Sequence, residues 1–216
     1  MKTRHRDNFI YDPSLVLYLP LYKRDGLTFS SDDKHGHLAT VTGALWTLQG
    51  RRFDGIDDAI SCGNNAALVN ITRITLIAWV TKGTLTDAAM IISKYNPAVS
   101  GYALYVDNAT NKPIFRHDGL GDSVMTFNSA IGTNATFLAA TFNGSQVLGF
   151  INGVVDITKD LAGDLVAYNQ TLRIGRYSEG AQYYWKGSIG EILIYNRALT
   201  PQEITRNYLA TKWRYR

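Results

Sequence analysis

The chain reads as short apolar runs divided by turn-forming clusters, and almost every run has the two-residue period of a strand. "LVLYLPL" is the first. "ITLIAWV" is apolar on both faces, with Ile74, Leu76, Ala78 and Val80 on one side and Ile77 and Trp79 on the other. That pattern predicts a central strand covered twice. In "ATFLAATFNGSQVLGFINGVVDI", Asn143-Gly144 and Asn152-Gly153 separate β-rich runs with residues that tolerate positive φ, which predicts two consecutive hairpins. "HGHLATVTGALWT" has two glycine breaks, "FDGIDDAISCG" is a tight acidic turn entering a strand at Ala59, and "GYALYV" alternates. "MIISK", "TLRIGRY" and "GSIGEILIY" complete the set.

One segment has helical signals. Thr200-Pro201-Gln202-Glu203 combines a capping threonine, proline at the first helical position and glutamate three residues after the cap. Ile204, Tyr208 and Thr211 then share a face. Strands with one terminal helix predict an all-β, two-sheet antiparallel sandwich. The expected organisation is a polar arm over 1–13, a sandwich over 14–200, and a short C-terminal helix with a basic tail over 201–216.

Composition narrows the function classes. The 216 residues suffice for one well-cored domain, and 19 glycines with 13 tyrosines suit strands and turns. Cys62 is the only cysteine, so no intrachain disulfide forms and it is expected as a small core residue. The net charge of +4 sits at the end of the chain: Arg197, Arg206, Lys212, Arg214 and Arg216 stand against Glu203 alone. A basic tail is not the basic, aromatic-lined face of a nucleic-acid binder, so no nucleic-acid partner is expected. No run approaches the ~20 apolar residues of a membrane helix, so no membrane insertion is expected. "MKTRHRDNFIYDP" lacks the apolar stretch of a secretory signal, which predicts a protein made in the cytoplasm.

The ordered pieces "FDGIDD", "ITLIAWV", "FINGVV" and "IGEILIYNRALTPQEI" resemble the laminin-G-like branch of the concanavalin A-like lectin/glucanase superfamily, whose architecture pentraxins and legume lectins share. The resemblance runs from Leu15 to Tyr208. It implies a jelly roll of two curved antiparallel sheets, a fold that hosts lectins, adhesion modules, glycosidases and inert shells.

Glycoside cleavage usually needs two carboxylates flanking one bond. The resemblance implies that laminarinase-like enzymes carry theirs as E-x-D-x-x-E on one strand. None of the three glutamates, Glu179, Glu191 and Glu203, begins such a pattern. By strict alternation, Ile189 and Leu193 take the same-face positions beside Glu191. The chain is therefore expected not to be an enzyme. Glu191 is expected to satisfy a polar neighbour or anchor the chain's end, with metal ligation second and catalysis last. Asp54, Asp57, Asp58 and Glu191 are the candidate metal ligands. No cofactor is required by the residues, and calcium is weakened because Gly190 stands where the resemblance implies a ligating aspartate. Candidate sugar platforms are Trp79, Tyr102, Tyr105, Tyr183, Tyr184 and Trp185. "YSEGAQYYW" is the strongest of these segments, since three consecutive aromatics cannot all point inward.

The expectation is a non-catalytic interaction module, most simply a decoration, turret or tail-associated protein displayed on a phage or virus particle with glycan adhesion. Arm and tail would then dock on neighbouring structural proteins, with an oligomer allowed within the assembly. The alternative is a carbohydrate-binding lectin, calcium-assisted or not. A glycoside hydrolase or lyase is the second alternative.

Overall fold

A computed structural model describes residues 12–96, 98–118, 124–161, 165 and 168–215. Most of the expected arm, 1–11, lies outside the described residues. Sixteen strands are present among the described residues. The first eight are β1 (Leu15–Pro20), β2 (Thr28–Ser30), β3 (Leu38–Thr42), β4 (Leu45–Thr47), β5 (Gly50–Asp54), β6 (Ala59–Ser61), β7 (Ile74–Lys82) and β8 (Ala89–Asn96). The second eight are β9 (Ser100–Val106), β10 (Pro113–Asp118), β11 (Val124–Thr126), β12 (Thr136–Phe142), β13 (Gln146–Ile151), β14 (Val154–Asp160), β15 (Arg173–Ile174) and β16 (Lys186–Tyr195). Helix α2 (Pro201–Thr211) follows β16, and a one-turn helix, α1 (Ala66–Val69), lies between β6 and β7. The sequence patterns did not anticipate α1. Asn65 caps it by accepting the Ala67 N–H. None of the described helices is long and apolar enough to cross a membrane.

The strands form two antiparallel sheets, as the all-β sandwich reading requires. Sheet I runs β14-β13-β12-β7-β16-β5-β4, with β1 beside β16, and sheet II runs β11-β10-β9-β8-β15-β6-β3-β2. Between them lie Leu76, Ala78, Leu138, Ile192 and Ile194 of sheet I, facing Ile91, Ile92, Leu104 and Phe115 of sheet II. Burying each of these leucine, isoleucine and phenylalanine side chains contributes ~1.5–3 kcal/mol. Strand β7 is central and covered twice, as its sequence predicts. Leu76, Ala78 and Val80 enter the inter-sheet core, while Ile77 and Trp79 lie in a second core on the outer face of sheet I. The meander β12-β13-β14 carries the two predicted hairpins. Asn152 (φ 51°) and Gly153 (φ 77°) both adopt the left-handed region that the tight second turn requires.

Strand β16 changes partners halfway. Lys186–Ile189 pair with β5, and Glu191–Tyr195 pair with β1. Against β7 the register shifts between Ile189 and Glu191, which makes Gly190 a bulge. The bulge corrects strict alternation. Ile189 joins the inter-sheet core, whereas Glu191 joins Leu193 and Tyr195 on the outer side.

The helix has its predicted capping box. Thr200 Oγ1 accepts the Glu203 N–H, and Glu203 Oε2 accepts the Thr200 N–H at 2.8 Å. Its Ile204, Asn207 and Thr211 are buried against sheet I. The described end of the basic tail is also ordered, as a short 3-10 turn, Lys212–Arg214. Tyr215 follows and stacks on Trp79 at 4.4 Å. The tail up to Tyr215 is thus part of the domain's own packing.

Candidate ligand-binding face

The outer faces of the two sheets differ in what covers them. On sheet I, α2 and the tail close the outer face over β7, β12 and the end of β16, and leave it open toward β5 and β4. Trp79 lies beneath them, stacked on Tyr208 and Tyr215, with its Nε1–H donating to Thr211 Oγ1 at 2.8 Å. Glu191 is fully buried beside it. Its Oε2 accepts from the Tyr18 hydroxyl at 3.3 Å and lies 3.8 Å from the Arg214 guanidinium. Arg214 in turn lies over the Tyr22 ring at 4.8 Å. Glu191 therefore ties strand β16 to the chain's end. It stands apart from the three clustered aspartates, which corrects its place in a metal set with them.

Three of the expected sugar platforms are interior, and burial removes them from that role. Trp79 is covered as described. Tyr102 points between the sheets, donating its hydroxyl to Leu68 O at 3.2 Å. Trp185 is fully buried in the inter-sheet core. Tyr184 is half-buried. Tyr105 and Tyr183 come together at the margin of one outer cluster on sheet II, made of Met90, Tyr95, Ala103 and Tyr177.

No described helix covers sheet II. Among the described residues, the loop between β15 and β16 folds onto it. Ser178 pins this loop: its hydroxyl donates to Tyr95 O at 2.8 Å and accepts the Tyr95 N–H at 2.9 Å, and its own N–H reaches Ser93 Oγ at 3.1 Å. The Met90 N–H donates to Tyr183 O, fixing the loop's far end. Gly175 starts the loop at φ 84°, where a Cβ would come within 2.4 Å of the Phe53 ring, so only glycine fits. Tyr183 itself adopts φ 56°, a strained conformation for a bulky residue. The tyrosines interlock, Tyr177 edge-on to Tyr183 at 5.8 Å and tilted against Tyr95 at 6.3 Å, with the Arg116 guanidinium 4.9 Å over Tyr95.

One register row crosses the whole of this face. Thr28, Thr40, Ser61, Arg173, Ser93, Ala103, Arg116 and Val124 are successive direct partners across all eight strands. Directly paired residues share a face. Arg173 and Arg116 are thus three strand spacings apart, about 14 Å, with the small residues Ser93 and Ala103 between them. Arg176, at the start of the loop, sits near Arg173 and donates to Gly180 O at 3.0 Å. Burial, and then the neighbouring Arg176 charge, push the Arg173 pKa down.

The sequence patterns singled out this loop but few of the residues gathered around it. Tyr95, Tyr177, Arg116, Arg173 and Arg176 were not singled out. The available signal was alternation: in "LRI" the inward Leu172 and Ile174 force Arg173 outward.

The acidic turn lies between β5 and β6. Asp54, Asp57 and Asp58 bring carboxylate oxygens within 4.8 Å of one another. Asp58 is buried, accepts the Asp54 N–H at 2.8 Å and approaches Gly43 too closely for any side chain there. Burial first, and then the Asp54 and Asp57 charges, raise the Asp58 pKa. Asp54 accepts the Ile56 N–H at 2.7 Å. Two of the three carboxylates therefore build the turn, and Asp57 is the one whose carboxylate is not used to hold it. Beside the turn is an open groove of about 560 Å³, lined by Arg52, Lys82, Lys186 and Ser188 among others.

Comparison with curated protein sequences finds no match. Solved structures share the fold at low identity. A Trypanosoma rangeli sialidase in complex with 2,3-difluorosialic acid superposes with TM-score 0.73 at 17% identity, over 95% of this chain and 34% of the sialidase. The binding domain of botulinum neurotoxin serotype D gives TM-score 0.70 at 14% identity, over 92% of this chain and 52% of that one. The chain thus spans a third to a half of the length of these structures. The family model for the concanavalin A-like lectin/glucanases superfamily, of laminin-G type, matches residues 54–205. With its two stacked antiparallel sheets and that match over most of its length, the chain belongs to the concanavalin A-like lectin/glucanase superfamily.

Proposed function

We propose that the protein is a non-catalytic glycan-binding module whose contact surface is the outer face of sheet II. The observation that carries this reading is the asymmetry of the sandwich. Over β12, β7 and the end of β16 one outer face is covered by α2 and the tail, while the other presents half-buried Tyr105 and Tyr183 beside arginines and a row of hydroxyls. Aromatic rings take the apolar side of a pyranose, and hydroxyl and guanidinium groups fix its orientation.

The carboxylates favour binding over hydrolysis. Glu191 is enclosed with Tyr18 and Arg214, and Glu203 serves the helix cap and Arg197. Glu179 accepts from the Tyr168 hydroxyl at 2.6 Å. Asp107 closes a turn onto Thr110, and Asp156 holds the Asn128 N–H. These groups do structural work, whereas glycoside cleavage asks for two that flank one bond. The virion-surface reading has no comparable observation behind it.

A glycan array, run with calcium and with chelator, tests the proposal. Binding to one saccharide class that falls about tenfold on Tyr183→Ala is expected, the scale of one lost ring contact. Turnover of any bound oligosaccharide would overturn the non-catalytic part, and silence across the array would overturn the whole. The calcium arm tests the acidic turn. Calcium-dependent binding abolished by Asp57→Asn would make Asp54, Asp57 and Asp58 a cation site that supports the face, and calcium-independent binding would leave them as a turn.

A further inference from the structure

We propose that Arg173 and Arg176 form an anion-recognition subsite on this face, so that the saccharide it takes carries an oxyanion, a carboxylate or a sulfate. The inference rests on the glycan-binding reading and specifies its ligand. Its basis is the place of these two arginines on the face, where they differ from arginines that the fold pairs elsewhere. Arg24 meets Asp32, Arg197 meets Asp12 and Glu203, Arg214 meets Glu191, and Arg51 donates to the carbonyls of Ala44, Arg24 and Gly26. Arg173 and Arg176 instead lie near enough for each other's charge to be felt. Neither has a carboxylate partner among the described residues, and Arg173 Nε is buried without a hydrogen bond.

Their placement is set by the backbone. Arg173 is held at mid-face by pairing with Ser61 on one side and Ser93 on the other. Arg176 is fixed by the Gly175 turn and by its own bond to Gly180 O. Two partly desolvated like charges repel, and a shared oxyanion reverses the sign of that interaction. The planar guanidinium fork matches the paired oxygens of a carboxylate or sulfate. Along the same row, the hydroxyls of Ser61 and Thr40 are placed to meet sugar hydroxyls next to the charged group. A neutral saccharide would leave the pair uncompensated.

The test uses calorimetric titration of the whole chain with three tetrasaccharides: a neutral chito-oligomer, a uronate-containing oligomer without sulfate, and its sulfated form. At least one acidic probe is expected to bind about tenfold or more tighter than the neutral one, and Arg173→Gln and Arg176→Gln should each erase that difference. Arg206→Gln, on the exposed side of α2, should change nothing, and thermal melts confirm folding of each variant. The two acidic probes tell carboxylate from sulfate recognition. If Arg206→Gln weakens binding as much as Arg173→Gln, or if an oligonucleotide binds as well as the acidic sugars, the affinity is diffuse charge and the subsite is refuted. Neutral-sugar binding that depends on Tyr183 and ignores both arginines would refute the subsite while keeping the glycan reading. No binding of any probe would refute both.

Discussion

Lys94 is inside the sandwich. It is 1% exposed, and its ammonium group donates to Asn64 Oδ1 at 2.6 Å and to the Gln170 carbonyl. Burial lowers its pKa from 10.5 to about 8. Between those values the unfolded chain holds a proton that the folded chain lacks, so stability rises with pH across that window. The gain is complete above 10.5 and is lost as pH falls through about 8. At full extent it is about 3 kcal/mol, from 1.36 kcal/mol per pKa unit. Buried tyrosines such as Tyr102 have raised pKa values and act in the opposite sense above about pH 10. The clean readout is therefore urea unfolding of the native chain and Lys94→Met at pH 8 and 9.5. The native chain should gain stability relative to the variant, and parallel curves would show that Lys94 does not titrate there. Lysine in "MIISK" gave no hint of burial, because its two acceptors come from chain segments 30 and 76 residues away.

At the scale of elements, the central relation is between β16 and the chain's end. Gly190 leaves room for Tyr215, whose ring a Cβ there would meet at 2.3 Å. The position where the family resemblance implies a ligating aspartate is thus occupied by the tail's own aromatic. Next to it, Glu191 holds Tyr18 and Arg214. Glu191→Gln should cost about 3 kcal/mol in unfolding free energy, since removing one partner strands the other charge. Glycan affinity should stay unchanged, because the residue lies under α2 and away from sheet II. An active-site glutamate would show the reverse, a stable fold with lost function.

The same strand shows what could be read from sequence and what could not. The two faces of β7, the Asn-Gly hairpins and the Thr200 capping box follow from side-chain period and turn chemistry, which act over a few residues. The bulge at Gly190 breaks the period within one strand and moves Ile189 and Glu191 to opposite faces. Trp79 looked available because its cover, Tyr208 to Tyr215, arrives about 130 residues later.

For the whole molecule, both sheets need their outer apolar residues covered, and they solve this differently. Sheet I uses a helix and a tail. Sheet II uses, among the described residues, the loop between β15 and β16, which covers Met90, Tyr95 and Ala103 and leaves the row through Ser61, Arg173 and Arg116 at its margins. The loop was legible as exceptional because three adjacent aromatics cannot share one side. Its arginine neighbours were not, since β15 has only two paired residues and the alternation of Leu172, Arg173 and Ile174 is too short to stand out. The most direct test is an amide NMR titration with the sulfated tetrasaccharide. Saturable shifts clustered at Ser61, Tyr105, Arg173, Arg176 and Tyr183, with the sugar recovered intact, are the predicted result. Shifts confined to the groove by Asp54 and Asp58, or to residues beneath α2, would contradict it.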